Sequence, residues 1–199
     1  MMDLQIPFLV FSYLLGTIPF GLLISRWTSG IDVRRHGSGN IGATNVLRSV
    51  GKKEALLTLL ADVFKGMLPV LLARIVFEDP KLVALSGTAA VVGHIFPVFL
   101  KFKGGKGVAT ALGVLICLAP WCALGAVLVF SAVTAASRYV SLGSISAAVA
   151  APCLGALFHV PFPTILGMSF IALLVVIRHH QNIRNLLSGC ENKLTRKER

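Results

Sequence analysis

Charge is scarce in this sequence. Asp, Glu, Lys and Arg make up only 14% of its 199 residues, and Asp plus Glu number 8. The carboxylates are scattered, which argues against a catalytic metal site built on clustered acids. Cys117, Cys122, Cys153 and Cys190 show no C-x-x-C spacing, and three lie inside apolar blocks. They read as small buried hydrophobes and exclude a disulfide or zinc framework. There is no tandem repeat, no low-complexity segment and no stretch that reads as a soluble domain. A basic leader and a small-residue cleavage site are also missing near Met1, so the first apolar segment is expected to be a retained helix.

What is abundant is apolar. Hydrophobic residues account for 55% of the chain, and the mean hydropathy is +0.81. Such content, gathered into long blocks, indicates an all-α integral membrane protein. The formal net charge is +11. Its cations lie in short loops between apolar blocks, not on a basic face interleaved with stacking aromatics, so nucleic acid is not an expected partner and the lipid bilayer is.

Dividing the blocks at roughly 17–25 residues per span gives about seven transmembrane helices. They run over 6–25, 54–76, 82–100, two short helices within 108–137 broken at Ala119-Pro120, 142–158 and 164–178. With seven helices, the loops bearing Arg26, Arg34, Arg35, Arg48, Lys52 and Lys53, then Lys101, Lys103 and Lys106, then Arg138, and the basic tail after Arg178 all share one side. The positive-inside rule makes that side cytoplasmic, with the N-terminus outside and the C-terminus inside. Residues 1–199 are expected to form a single membrane-embedded domain.

Three polar islands fall on this side. The first, Arg34 to Arg48, holds three glycines with Ser38, Asn40 and Asn45, a composition suited to a tight turn presenting them to a ligand. Arg48 could hold a carboxylate or phosphate bidentately. The second is Lys101-Phe102-Lys103-Gly104-Gly105-Lys106-Gly107, followed by an expected helix start at Val108. Glycine lets N–H groups converge on phosphate oxygens, lysine adds charge, and a helix N-terminus adds a positive dipole end. Gly107 follows Lys106 where a Walker A loop needs Ser or Thr, so phosphate binding without nucleotide hydrolysis is the inference. Topological anchoring accounts for Lys101 and Lys103 but leaves the glycines unexplained.

The third island, Arg178-His179-His180-Gln181-Asn182-Ile183-Arg184-Asn185, places His179 and Asn182 three apart, on one face if the helix continues. Histidine suits proton transfer near neutral pH. Adjacent histidines diverge on a helix, so only one can share a given site; the other reading for either is an interfacial histidine. Asp62 and Lys65, three apart within an apolar block, are expected to pair with each other or with loop groups and to support a site loop. His94 is expected to shape a helix end, and Ser141 or Ser144 could donate to a phosphate or simply cap a helix.

The segments GSGNIGATNVLR (37–48), GHIFPVFLKFKGGKGVAT (93–110) and RHHQNIRNL (178–186) closely resemble the bacterial membrane-bound, acyl-phosphate-dependent glycerol-3-phosphate acyltransferases. SYLLGTIPFG (12–21), ADVFKG (61–66) and SRYVSLGSI (137–145) agree, so the resemblance spans almost the whole chain. One departure is Ile41, where many members carry proline. The resemblance implies transfer of an acyl chain from acyl phosphate to the 1-hydroxyl of glycerol 3-phosphate, giving lysophosphatidic acid and phosphate. It implies no cofactor, functional coupling to an enzyme that makes acyl phosphate, and a location in the bacterial inner membrane with the site facing the cytoplasm.

By residue, it implies catalytic roles for Ser38, Arg48, His179 and Asn182. It implies the phosphate loop at Gly104, Gly105, Lys106 and Gly107 and a supporting role for Glu191. Beside these, the residues themselves offer Asn40, Asn45 and Ser144 as substrate or phosphate contacts and Asp62 and Lys65 as supports. Either His179 or a substrate phosphate could take the hydroxyl proton. No His-x4-Asp pattern occurs, which separates the chain from the other large acyltransferase family. The rival from another class is a phosphate or organic-anion transporter, which predicts polar midplane helices and internal repeats. This chain puts its polar groups at one interface and has no repeat.

Overall fold

Proline and glycine decide where the apolar blocks break. The computed structural model describes residues 2–194; Met1, the side chain of Asp3 and the basic tail at 195–199 lie outside the described residues. Among the described residues there are ten α-helices and two 3₁₀ turns, with no strand. The chain forms two compact units, Met1–Leu118 and Ala119–Arg199.

In the first unit, α1 (Met2–Gly16) and α2 (Phe20–Ser29) are separated at Thr17-Ile18-Pro19. Proline lacks an N–H and disfavours helical geometry in the residue before it. The first expected span is therefore two helices. After a 3₁₀ turn at Val33–Arg35 come α3 (Ala43–Ser49), α4 (Lys52–Val76) and α5 (Pro80–Ile95). Asp79 caps α5 by accepting from Lys81 N–H at 2.9 Å, with Pro80 in the first turn, a position that needs no donor. Phe96-Pro97 ends α5 sooner than expected, a 3₁₀ turn follows at Val98–Leu100, and α6 covers Val108–Leu118.

Helix α4 packs on α5 and α6, and α1 packs on α5. Small residues permit the approach. A Cβ at Gly66 would strike the carbonyl of Thr110, one at Gly113 that of Val63, one at Gly16 that of Ala90 and one at Gly93 that of Tyr13. Without a hydrophobic drive between helices in lipid, such close backbone contact is the means of association. A separate small core of Leu22, Val33, Ile41, Val46 and Ala55 underlies the first island. Ile41, the departure noted above, is part of it and supplies packing where proline would supply stiffness.

The second unit comprises α7 (Pro120–Ser137), α8 (Val140–Leu157), α9 (Phe162–Arg178) and α10 (His180–Leu187), with α8 packed on both α7 and α9. Ala119 leaves helical geometry ahead of Pro120, the break expected from sequence. Helices α9 and α10 meet at 56°, so the last helix does not run on straight through the third island.

Ile6, Leu56, Ile75, Leu128, Leu157 and Phe162 are each more than half exposed, which lipid tolerates and water does not. Among the described residues, five segments are long and apolar enough to cross a membrane, or six if the bent α9–α10 pair is one span. Helix α6 has 11 residues. At 1.5 Å per residue it reaches about 16 Å, well short of a hydrocarbon core of about 30 Å.

Candidate active site

The first island is a loop tied around one asparagine. Asn45, on α3, is 2% exposed. Its Nδ2 donates to the carbonyls of Val33, His36 and Asn40 at 2.9, 3.0 and 2.8 Å, and its Oδ1 accepts from Ser38 N–H at 2.9 Å. The sequence suggested that Asn45 faces a ligand; the structure instead engages its whole amide within the loop. Asn40 Oδ1 accepts from Gly42 N–H at 2.8 Å and leads the chain into α3. Gly37 adopts φ +58, where a side chain would be strained and would also meet Asn45 Oδ1. Ser38 and Arg48 are exposed, one on the loop and one on α3.

Asp32, which sequence reading passed over, fastens the same loop. It accepts from Arg34 Nε at 2.9 Å and Nη2 at 2.6 Å, and from Arg26 Nη2 at 2.7 Å. Scarcity was the available signal, since so few acids each need an account. The Arg34 guanidinium, helped by Arg26, holds this carboxyl well below the usual carboxylate range against the opposing effect of burial. A depressed folded pKa gives stability that is complete above the ordinary Asp range of about 4 and lost as pH falls through the lower folded value. Both arginines are largely exposed, so Asp32→Asn should cost no more than about 1 kcal/mol in global stability. It should nonetheless speed amide exchange at residues 33–36 at neutral pH. Unchanged exchange there would remove Asp32 as the fastener.

The glycine–lysine loop folds back on the end of α5. Gly104 N–H donates to Ile95 O at 3.2 Å and Gly105 N–H to His94 O at 3.1 Å, serving carbonyls that a helix end leaves without intrahelical donors. Those two N–H groups, expected from sequence to face phosphate, are turned to the scaffold. Gly107 O accepts from Ala111 N–H at 2.7 Å, which puts Gly107 at the start of α6. The N–H groups of that first turn have no helical acceptor, so any anion held by the loop would meet it from Lys106 onward. Lys106 is half-buried, while Lys101 and Lys103 are exposed.

Asp62 and Lys65 form a buried ion pair at 2.8 Å, 2% and 1% exposed. Lys65 Nζ also donates to Ile18 O at 2.7 Å, at the break that Pro19 opens between α1 and α2. The pair thus fixes a helix discontinuity in low dielectric, where an unpaired charge would be expensive.

In the second unit the third island is organised by Glu191. Its Oε1 accepts from Ser141 Oγ and from Asn182 Nδ2, each at 2.7 Å, joining the start of α8 to α10. The segment is held in place by Leu194 N–H donating to Arg138 O at 2.7 Å. Ser144, buried one turn further on, donates to Val140 O at 2.9 Å within its own helix. His179 is 2% exposed and His180 is exposed. His179 Nδ1 lies 2.7 Å from Val175 O. A carbonyl can only accept, so Nδ1 carries a proton, and in the neutral form of the ring the lone pair is on Nε2.

These features define a class: a helical membrane protein with a cationic glycine–lysine loop at a helix start and a buried histidine whose Nδ1 is held by a backbone carbonyl. The comparisons with known proteins narrow it further. A family model for glycerol-3-phosphate acyltransferase matches residues 6–189, across both units, and the chain belongs to that family. It is 50% identical over 184 residues to the glycerol-3-phosphate acyltransferase of Geobacter sulfurreducens, covering 92% of this chain and 93% of that one. It is 52% identical over 183 residues to that of Trichlorobacter lovleyi, covering 92% and 93%. It is similar, with TM-score 0.92 and 42% identity over 96% of each chain, to the crystal structure of PlsY, an integral membrane glycerol 3-phosphate acyltransferase, in its glycerol 3-phosphate form. The lysophosphatidic acid form gives TM-score 0.90 and 41% identity over 96% of this chain and 95% of that one.

Proposed function

We infer that this chain transfers a fatty acyl group from acyl phosphate to the 1-hydroxyl of glycerol 3-phosphate, releasing lysophosphatidic acid and inorganic phosphate. The observation that carries the reading is the family match across 6–189, in which the two cationic glycine-bearing loops and the His179 island all fall. Both substrates are anions and one bears a long apolar tail, so cationic loops at the end of lipid-facing helices suit the pair. Seven membrane helices, the short α6 among them, an outside N-terminus and a cytoplasmic active face in the bacterial inner membrane accord with the one-sided distribution of cations.

In the reaction, the glycerol 1-hydroxyl oxygen attacks the acyl carbonyl carbon while its proton passes to His179 Nε2. The carbon–oxygen bond to phosphate then breaks and phosphate leaves with the electron pair. His179 fits this role because its Nδ1 is committed to Val175 O. Lys106, on the glycine–lysine loop, holds the phosphate of glycerol 3-phosphate, Arg48 holds phosphate oxygens, and Ser38 and Asn182 orient the reacting groups. Glu191 holds Asn182, while Asn40 and Asn45 keep the Ser38 loop in shape. Direct transfer is preferred to an acyl-Ser38 intermediate because exposed Ser38 has no His/Asp relay in the sequence.

The test is to supply purified protein with acyl phosphate and glycerol 3-phosphate and follow lysophosphatidic acid. Product formation is expected. No product, together with anion flux in liposomes, would replace the enzyme by a transporter.

A further inference from the structure

His94 lies in the last turn of α5 and is 4% exposed. Its ring stands between two features far apart in sequence. On one side Nδ1 is 3.7 Å from Asp62 Oδ1, an ion-pair distance beyond a direct hydrogen bond. On the other, Gly105 passes so near that a Cβ there would overlap Nε2. Gly105 is not among the residues with positive φ, so its backbone does not call for glycine. The space taken by the His94 ring does.

The anchoring behind this contact is continuous. Asp62 is held by Lys65 at 2.8 Å, and Lys65 by Ile18 O at 2.7 Å. From α1, Tyr13 Oη donates to Phe96 O at 2.8 Å and steadies the chain two residues beyond His94. Gly105 is bound twice to this base, through its N–H to His94 O and through the ring beneath it. The next residue is Lys106.

We propose that His94 is a positioning residue for the glycine–lysine loop. It carries the fixed point at Ile18, Lys65 and Asp62 through to Gly105 and so sets where Lys106 presents its ammonium. The proposal rests on reading that loop as the glycerol 3-phosphate cradle. A loop displaced by about 1 Å loses most of its alignment on a bound anion, so the effect belongs to one substrate and not to the other.

The experiment is steady-state kinetics of purified full-length variants with both substrates varied. His94→Ala should raise KM for glycerol 3-phosphate about tenfold, with kcat and the KM for acyl phosphate within about threefold. His94→Asn, which keeps an N–H near the Nδ1 position, should recover most of that loss. Gly105→Ala should raise the same KM when the ring is present. In the His94→Ala background it should add less than about twofold, because the obstacle is gone. Should His94→Ala fail to fold, His94→Asn with Gly105→Ala carries the same comparison. Independent, multiplicative effects of the two changes would overturn the proposal, as would an equal rise in both KM values. A parent protein that makes no lysophosphatidic acid would overturn the functional reading and this proposal with it; an active parent with multiplicative effects would overturn this proposal alone.

Discussion

Lys106→Ala is expected to lower kcat/KM for glycerol 3-phosphate by about a hundredfold. Removing one charge-assisted contact costs roughly 1.5–3 kcal/mol, and each 1.4 kcal/mol is a factor of ten. The estimate falls at the upper end because Lys106 is half-buried and follows a loop whose two preceding N–H groups are spent on α5 carbonyls. Few other groups on that loop can replace its charge. Lys106→Arg should recover part of the loss, since charge is kept while the donor fork is differently placed. Lys101→Ala and Lys103→Ala should act weakly, both side chains being exposed. Saturation kinetics across these variants decide the matter, and a folded Lys106→Ala protein with wild-type parameters would remove the residue from the phosphate site.

His179→Ala should lower kcat by about 10²- to 10⁴-fold, the range that a positioned general base contributes. KM for both substrates should change little, because the proton is taken only as the bond forms. A large KM increase with kcat preserved would instead make His179 a phosphate ligand and leave a substrate phosphate as the base. His180→Ala is the internal comparison. Its ring is exposed, unlike that of His179, and its Nδ1 lies 3.0 Å from Ile177 O. It should retain most activity.

Particular residues mark how much was legible in advance. The break at Ala119-Pro120 and the gaps between the blocks at 76–82 and 158–164 could be read because proline and long apolar runs impose strong local rules. The break at Thr17-Ile18-Pro19 has a local cause in Pro19, but its depth does not. That depth depends on Lys65 reaching Ile18 O from another helix. Asn45 was read as facing a ligand because its type suits that role. Its actual partners are carbonyls 5 to 12 residues away, which only the folded loop brings together. Tyr13 and Asp32 drew no notice, although a phenol in an apolar span and a rare carboxylate both demand partners.

The sequence by itself determined that the chain is an α-helical membrane protein, which ends of its helices carry charge, and which three segments gather the polar residues proposed for the chemistry. These follow from composition, spacing and the ordered motifs. Only the tertiary structure decided which polar groups are committed to the scaffold. It turned the N–H groups of Gly104 and Gly105 toward α5, buried His179 with Nδ1 on Val175 O, and put the His94 ring beneath Gly105. The physical reason is that a donor or acceptor taken from water must find a partner wherever the fold supplies one, and residue type cannot say which partner that is.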